Sequence, residues 1–470
     1  MARARNLALL VLMLLTLWGC STVQIGALYE SPWQDREQSR DIFVTIDGTS
    51  DTLVARTNAA RLYELVDSHH QRHDRSLATY YAEGVGADGN LLGLSTGLGM
   101  ADDLRNAYAF LSVHYRPGDR IFLSGFSRGA YAVRALGGMI AVAGIPDLSA
   151  LRPSERKKVV SAIFKAYKTS PKSDESRRQH FERRVQRVRE ALAKYEIEER
   201  GMANRTPIEA MAIWDTVEAL GAPDGKDDPT EDVGYYLLTN CNVKSVFHAL
   251  AADENRSLSF TPIFADARHI YEPCGYENAT TNVEEVWFTG AHSDVGGSYF
   301  PNDTIEGFLP GVSFNWMLEK LKPFGIVPAN GSMFADVFGP IHDAQKYSGL
   351  WGRATRQFRA PMEYQTRAGM APKAKVHASV IARLSVAKWI DQHFPQCQSD
   401  HVPGEDEHKL ICANELATYG LMRELQAANC LADETNPHGW RLAPGQDCIE
   451  VVGAFPSDWP EIPGRLPPNR

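Results

Sequence analysis

The sequence predicts an α/β fold in which a mainly parallel sheet carries helices on both faces. Short apolar runs rich in β-branched residues alternate with longer stretches of helical periodicity, which is the pattern of parallel strands joined by helical crossovers. The chain has 470 residues, of which 44% are hydrophobic, so it can bury a large core. Its net charge of −9 argues against a globally basic surface, and we expect no nucleic-acid partner.

The elements follow one another in a regular order. We predict a buried strand in DIFVTIDGTSD, a helix near NAARLYELVDSHH, a strand in SLATYYAEGVG and a helix in ADDLRNAYAFLSVHY. The turn RPGD ends that helix, the strand RIFLSG follows, and later strands are predicted in IEAMAIWD and VEEVWFTGAH. The glycine-rich stretch GADGNLLGLSTGLG lacks both the P-loop and the dinucleotide-binding patterns, so we interpret it as a surface loop and expect no cofactor.

The pentapeptide GFSRG, Gly125 to Gly129, matches the G-x-S-x-G nucleophile elbow. In that motif a serine sits on a sharp strand-to-helix turn with its hydroxyl exposed, and the glycines make room where side chains would collide. The alternative is a serine that only serves a tight turn. A strand-like run before the motif and a helix-like run after it favour Ser127 as a nucleophile.

A serine hydroxyl needs a base to take its proton, and the base needs a third group to orient it. Asp215 ends one predicted strand and His292 ends another, and both follow Ser127 in the order Ser, Asp, His that α/β-hydrolases use. His377 is a competing base and Asp294 a competing acid. We prefer Asp215 because a separate strand can direct a carboxylate to the far ring nitrogen of His292, whereas Asp294 would brace the loop DVGGSY.

An acyl-transfer site also needs backbone N–H donors for the oxyanion. The residue after the serine, Arg128, supplies the first predicted donor, and the loop IDGTSD supplies the second, from Gly48 or Thr49. Asp47 would fix this loop by hydrogen bonding. We therefore predict an α/β-hydrolase-like catalytic domain over residues 41–385.

The catalytic domain contains a charged insertion, and another region follows it. Residues 152–205 are dense in charge and helical in pattern, and we interpret them as a helical insertion or cap. That insertion is either a solvated helix pair or a basic face that meets anionic lipid headgroups. Residues 386–470 contain four of the seven cysteines and a proline-rich tail, so we expect a disulfide-stapled C-terminal extension that is poor in regular structure. A zinc site is the alternative, but no CxxC pair is present, and we expect no metal.

The first twenty residues have the features of an export signal. Two arginines precede the apolar run LALLVLMLLTLW, which is too short to span a bilayer comfortably. The stretch LWGC resembles a bacterial lipoprotein box, in which Cys20 would be acylated; a plain signal peptide is the alternative. With Ser21 after the cysteine, we expect a lipoprotein at the outer membrane that faces the periplasm and is held to the membrane by its N-terminal lipid.

Several separated blocks of the sequence resemble one family. The stretches TIDGTSD, GFSRGAYAVRALGGMI, WDTVEALGAP and HALAADENRSLSFTPIF, together with EVWFTGAHSDVGGSY, are similar to the catalytic domain of the type VI secretion phospholipase effectors, lipase family one. The resemblance covers roughly Asp41 to Arg383. It implies that Ser127 is the nucleophile, Asp215 the acid and His292 the base, and that the substrates are acyl esters of glycerophospholipids.

The function that we expect is therefore a serine esterase or lipase of the bacterial envelope, acting on phospholipid acyl esters by a Ser-His-Asp acyl-enzyme mechanism. The export signal differs from secreted effectors of the resembling family and favours a resident enzyme. A non-catalytic envelope binding or scaffold lipoprotein is one alternative. An esterase of acylated glycans or of small esters is another. No acidic loop of EF-hand type suggests calcium.

Overall fold

The computed structural model of the protein describes most of the chain. The described residues are 39–48, 53, 56–73, 76–84, 98–197, 199–201, 206–217, 242–257, 260–265, 281–299, 309–347, 357–370, 373–393, 397, 410–418, 420–432 and 438–453. The predicted signal peptide with Cys20, the donor candidate Thr49, the two cysteines Cys241 and Cys274, and most of the stretch GADGNLLGLSTGLG lie outside the described residues. None of the helices in the described ranges is long and apolar enough to cross a membrane.

An eight-stranded sheet forms the centre of the molecule. The described strands are β1 (Asp41–Ile46), β2 (Leu77–Ala82), β3 (Arg120–Phe126), β4 (Ile145–Pro146), β5 (Glu199–Gly201), β6 (Ile208–Trp214), β7 (Ser245–Ala251), β8 (Asn282–Phe288), β9 (Ala374–His377), β10 (Leu431–Ala432), β11 (Arg441–Leu442) and β12 (Ile449–Val452). The large sheet has the order β12-β9-β8-β7-β6-β3-β1-β2, and each of its pairings is parallel. The predicted mainly parallel sheet is therefore confirmed.

Helices cover both faces of this sheet. The described helices are α1 (Asn58–His73), α2 (Leu98–His114), α3 (Arg128–Ala143), α4 (Pro153–Tyr167), α5 (Arg177–Ala193), α6 (His292–Gly296), α7 (Pro310–Leu321), α8 (Ala344–Tyr347), α9 (Pro361–Arg367), α10 (Ala378–Leu384), α11 (Ala387–His393), α12 (Ala413–Thr418) and α13 (Gly420–Ala427). A 3₁₀ turn, Lys322–Phe324, extends α7.

Strand β1 shows how the core is divided. Its six residues are all buried, because the strand has helices above and below it. Successive side chains alternate between faces, so Ile42, Val44 and Ile46 pack with α2 and α3, while Phe43 packs on the opposite face with α1 and α7. Two apolar cores therefore sandwich the sheet and hold its strand ends in fixed positions.

The region predicted as an insertion forms the helix pair α4 and α5. The pair packs against α3, and Tyr167 Oη donates to the Ala135 carbonyl at 3.1 Å. Ser176 caps the start of α5 and accepts from the N–H of Gln179 at 3.2 Å, as expected for a capping box. The exposed surface mixes both charge signs, and Arg178 pairs with Glu182 at 3.2 Å.

The C-terminal region contains two disulfides, Cys397–Cys412 and Cys430–Cys448. It is richer in regular structure than we expected. Helices α11 to α13 lie in it, and its strand β12 pairs with β9 and becomes an edge of the main sheet. The expectation of a region poor in regular structure was wrong for the described residues, in part because β12 pairs with β9, a strand formed elsewhere in the chain.

Candidate active site

The predicted site residues meet at the carboxyl ends of the central strands. Ser127 follows β3, Asp215 follows the neighbouring strand β6, and His292 is the first residue of the short helix α6, which follows β8. All three side chains are buried, with Ser127 5% exposed, His292 4% and Asp215 0%. Parallel strands bring their carboxyl ends to one edge of a sheet, so residues far apart in sequence come into contact there.

Ser127 lies on a strained turn between β3 and α3. Its φ of 58° and ψ of −126° are unfavourable for a residue with a side chain. The turn is held by the Ser127 N–H, which donates to the Trp214 carbonyl at 3.0 Å. Gly129 lets the turn pass close to β1, because a Cβ there would lie 2.1 Å from the Ile46 carbonyl oxygen. The geometry is that of the elbow that the pentapeptide GFSRG predicts.

A continuous hydrogen-bond chain joins the three side chains. Ser127 Oγ donates to His292 Nε2 at 2.7 Å, and His292 Nδ1 donates to Asp215 Oδ2 at 2.5 Å. An ionised carboxylate can only accept, so the ring proton is on Nδ1 and the lone pair of Nε2 faces the serine. The structure thus brings together the serine, histidine and aspartate that the sequence analysis selected.

Asp215 is surrounded by donors although it is completely buried. Its Oδ1 accepts from the N–H of Ala251 at 2.9 Å and from Arg359 Nη1 at 2.7 Å. Burial alone would raise the pKa of Asp215, but the charge of Arg359 and the hydrogen bond from His292 outweigh burial and lower that pKa. The carboxylate is therefore ionised and held from three directions.

His292 is enclosed by rings and by a second carboxylate. The ring centroids of Phe126 and Phe260 lie 4.6 and 4.9 Å from that of His292. Glu254 Oε2 accepts the backbone N–H of His292 at 3.1 Å, and Glu254 itself is paired with Arg256. Burial lowers the pKa of His292 more than Asp215 and Glu254 raise it, so the imidazole is neutral at pH 7 and able to accept a proton.

The competing residues form other contacts. His377 Nδ1 interacts with Ser379 Oγ at 2.8 Å, and its ring stacks on Phe288. Asp294 Oδ1 accepts from His342 Nδ1 at 2.5 Å, and its Oδ2 accepts the N–H of Ala291 at 3.0 Å. Neither residue is in the chain of bonds that starts at Ser127.

The backbone N–H groups of Arg128 and Gly48, the predicted oxyanion donors in the described residues, lie in different surroundings. Arg128 is the first residue of α3 and directly follows Ser127. The N–H of Gly48 donates to Asp47 Oδ1 at 2.7 Å, so in this conformation it is committed to that carboxylate. Thr57 and Tyr81 Oη also donate to Asp47, so this carboxylate is bonded as predicted to its neighbour Gly48, and also to the residue before α1 and to β2 beside it, while the rest of the predicted loop lies outside the described residues.

Three buried polar residues near the triad were missed by the sequence analysis. Arg359 gave no signal, since nothing in the stretch QFRAP marks an arginine as buried. Glu254 lies three residues after the end of β7, so a search of the residues that follow every strand would have found it. His248 lies within β7 and interrupts its apolar run; its Nε2 accepts the N–H of Thr216 at 3.0 Å, and its Nδ1 contacts Glu285 at 2.8 Å.

Clusters of side chains that could ligate a metal are few in the described part of the chain. Asp391, Cys397 and Cys412 form the one cluster of suitable geometry there. The sulfur atoms of the two cysteines are bonded to each other in a disulfide, so they are not thiolate ligands. In chemical terms the site at the strand ends can carry out nucleophilic acyl transfer with a neutral histidine as base.

Comparison with known proteins gives one family and several distant likenesses. The model of the family described as T6SS, phospholipase effector Tle1-like, catalytic domain matches residues 40–320. An uncharacterized protein of Saccharomyces cerevisiae is 29% identical over 134 residues, which cover 24% of this chain and 19% of the yeast protein. This chain thus spans about a fifth of that relative's length.

Solved structures align with part of the chain at low similarity. An uncharacterized protein from Pseudomonas aeruginosa has a TM-score of 0.32 at 18% identity, over 60% of this chain and 46% of that one. A thermophilic esterase from Thermogutta terrifontis, with propionate bound, has a TM-score of 0.32 at 15% identity, over 64% and 91% of the two chains. A carboxylesterase from Lactobacillus plantarum has a TM-score of 0.33 at 12% identity, over 64% and 93%.

Proposed function

Because this chain belongs to the family of T6SS phospholipase effectors with a Tle1-like catalytic domain, we propose that it is an ester hydrolase that cleaves phospholipid acyl esters through an acyl-enzyme on Ser127. The single observation that supports this most strongly is the hydrogen-bond chain from Ser127 through His292 to Asp215. It supplies a nucleophile, a base and an orienting acid in contact with one another.

The first half of the reaction forms the acyl-enzyme. His292 Nε2 takes the proton of the Ser127 hydroxyl as Oγ attacks the ester carbonyl carbon, and the carbonyl oxygen becomes an oxyanion. The imidazolium that results is stabilised by the ionised Asp215. His292 then gives its proton to the leaving alcohol, the ester C–O bond breaks, and the acyl group remains on Ser127.

The second half returns the free enzyme. A water molecule loses a proton to His292 Nε2 and attacks the acyl carbon, which again passes through an oxyanion. His292 returns the proton to Ser127 Oγ, and the fatty acid leaves. Because burial keeps the pKa of His292 below its ordinary value, the base is regenerated in its neutral form at pH 7.

The proposal that the substrate is a phospholipid rests on the family description and on the expected N-terminal lipid anchor. The family is described as one of phospholipase effectors. An N-terminal lipid on Cys20 would hold the chain at a membrane surface, where acyl esters of phospholipids are the most abundant esters. An esterase of small esters is the second candidate, and substrate comparison distinguishes the two.

Replacement of the nucleophile tests the proposal. We expect Ser127→Ala to lower the turnover of both phospholipid vesicles and p-nitrophenyl esters by at least about 10³-fold, since removal of a triad member removes nucleophilic catalysis. Fatty-acid release and labelling by a fluorophosphonate probe are the two measurements. Turnover of p-nitrophenyl esters alone by the wild type would favour the small-ester candidate.

Ser124→Ala is the matched control. Ser124 lies in β3, three residues before Ser127, is fully buried, and its hydroxyl has no hydrogen-bond partner in the part of the chain that the structure describes. This variant should keep wild-type turnover and probe labelling. Equal activity of Ser127→Ala and Ser124→Ala would rule out the acyl-enzyme mechanism.

A further inference from the structure

Arg359 lies on a segment that runs beside the chain leaving β7. The N–H of Arg359 donates to the Glu254 carbonyl at 3.1 Å, and that of Gln357 donates to the Asn255 carbonyl at 3.2 Å. Arg256 and Gln357 form a parallel bridge between the two segments. This backbone pairing fixes the position of Arg359, and its side chain is completely buried behind the triad.

The guanidinium of Arg359 joins three parts of the site. Its Nη1 donates to Asp215 Oδ1 at 2.7 Å and to the Ala251 carbonyl at 2.9 Å. Its Nε donates to the Phe260 carbonyl at 3.1 Å, and its Nη2 contacts the same oxygen. Phe260 in turn packs its ring edge to face against His292. One side chain therefore fixes both the Asp215 carboxylate and the Phe260 ring that packs against His292.

We propose that Arg359 is a positioning residue of the hydrolase, which fixes the Asp215 carboxylate and, through Phe260, the ring of His292. This inference rests on the proposed function, because it concerns the same triad. It places one necessary part of the site outside residues 40–320, the part of the chain that matches the family. Arg359 does not touch the reacting atoms, so its effect is exerted through the acid and the base.

A second buried arginine allows this role to be separated from a purely structural one. Arg134 of α3 is 1% exposed, and its Nη1 and Nη2 donate to the carbonyls of Ile263 and Phe264 at 2.5 and 2.6 Å. Both arginines thus hold the segment that carries Phe260. Among the described residues, Asp215 accepts hydrogen bonds from Ala251, His292 and Arg359, and not from Arg134.

The two arginines should differ in their effect on the pH dependence of turnover. A positive charge next to the Asp215–His292 pair disfavours addition of a proton to it, so loss of Arg359 raises the pKa at which the pair becomes protonated and inactive. Among the described residues, Glu254, Arg256 and His248 are the other charged or titratable groups that face the pair, and the substitution leaves them in place.

The experiment compares the full-length variants Arg359→Gln and Arg134→Gln by pH profiles of p-nitrophenyl ester hydrolysis. For Arg359→Gln we expect the acid limb of kcat/KM to move to higher pH by about one unit. We also expect kcat to fall roughly 10- to 100-fold with KM little changed. Arg134→Gln should keep the acid limb of the wild type. An unmoved limb in Arg359→Gln, or equal shifts in both variants, would overturn the inference.

A second pair of variants covers the case in which Arg359→Gln does not fold, as judged by circular dichroism. Arg359→Lys keeps the positive charge but cannot reach Asp215 and both carbonyls at once. Its kcat should fall at least about tenfold more than that of Arg134→Lys. Equal losses in the two lysine variants would contradict a positioning role.

Ser127→Ala, measured beside them, separates the two proposals. If Ser127→Ala is inactive and the Arg359 variants match their Arg134 controls, only the inference about Arg359 fails. If Ser127→Ala retains wild-type turnover, the proposed function fails and this inference fails with it.

Discussion

At the scale of single residues, two members of the triad have an unusual backbone conformation. Ser127 has a φ of 58° and Asp215 a φ of 40°, although neither is a glycine. Each such residue costs on the order of 1–3 kcal/mol and persists only where its surroundings hold it. The N–H of Ser127 donates to the Trp214 carbonyl, and that of Asp215 donates to the Ala249 carbonyl at 2.7 Å. The hydrogen-bond ladder of the sheet therefore continues one residue beyond each strand and holds both side chains in the geometry of the site.

The buried histidine leads to a prediction about the wild-type enzyme. Burial lowers the pKa of His292 from its ordinary 6.5, and Asp215 and Glu254 only partly offset this. Because a histidine with a lowered pKa stays neutral to lower pH, turnover should be constant around pH 7. It should fall only below pH 6.5, and pH profiles of kcat/KM measure this midpoint.

His377→Gln is the control for that profile. His377 is also buried, and burial lowers its pKa to about 4, but it bonds to Ser379 and not to the triad. The variant should have the same acid limb as the wild type. An acid-limb midpoint above pH 6.5 in the wild type would contradict a neutral, buried His292 as the base.

At the scale of secondary-structure elements, the strand ends were the most predictable feature. Strands β1, β3, β6 and β8 are apolar runs that stop at a polar residue or turn, and this pattern selected Ser127, Asp215 and His292. Strand β7 was not predicted as a strand, because His248 lies in the middle of its apolar run. The partners of that histidine are Thr216, which follows β6, and Glu285 of β8, so a single sequence could not show that it is satisfied inside the sheet.

The close approach of the elbow to β1 predicts the effect of one methyl group. A Cβ on Gly129 would lie 2.1 Å from the Ile46 carbonyl oxygen and 2.4 Å from that of Asp47, and both atoms are backbone that cannot rotate away. We expect Gly129→Ala to lower the free energy of unfolding by about 1–3 kcal/mol, since overpacking must push α3 away from β1. It should also lower kcat, because the same shift moves Ser127. Urea denaturation and ester hydrolysis measure the two effects.

Gly331→Ala is a suitable comparison for that variant. The nearest atom to a Cβ there is the Pro328 carbonyl oxygen at 3.1 Å, and the position is far in sequence from the elbow. We expect a smaller change in stability and unchanged kcat. If both alanine variants lost the same stability and activity, the contact between the elbow and β1 would not be the cause.

At the scale of the whole molecule, the sheet is completed by chain that lies far from its centre in sequence. Strands β9 and β12 form one end of the sheet, and both follow the residues that match the family. Both are four residues long, too short for an alternating pattern to identify them from sequence. Arg359 belongs to the same part of the chain. What the sequence could not show is therefore long-range pairing, in which short segments gain their structure from a surface formed elsewhere.

The disulfide Cys430–Cys448 leads to a prediction about this sheet edge. It closes a loop with a sequence separation of 18, and Cys448 directly precedes β12. Loss of such a loop constraint costs about 3 kcal/mol in the chain-entropy model, so Cys430→Ser/Cys448→Ser should be destabilised by about that amount. The pair Cys397–Cys412, with a separation of 15, should cost a similar amount when both cysteines are replaced by serine.

Only the Cys430→Ser/Cys448→Ser variant should speed amide exchange in β12, because only that disulfide tethers the edge strand. Strands β3 and β6 should keep their protection at the centre of the sheet. Hydrogen-exchange mass spectrometry of both double variants measures this, and equal exchange of β12 in the two would show that the pairing with β9 holds the edge without the disulfide.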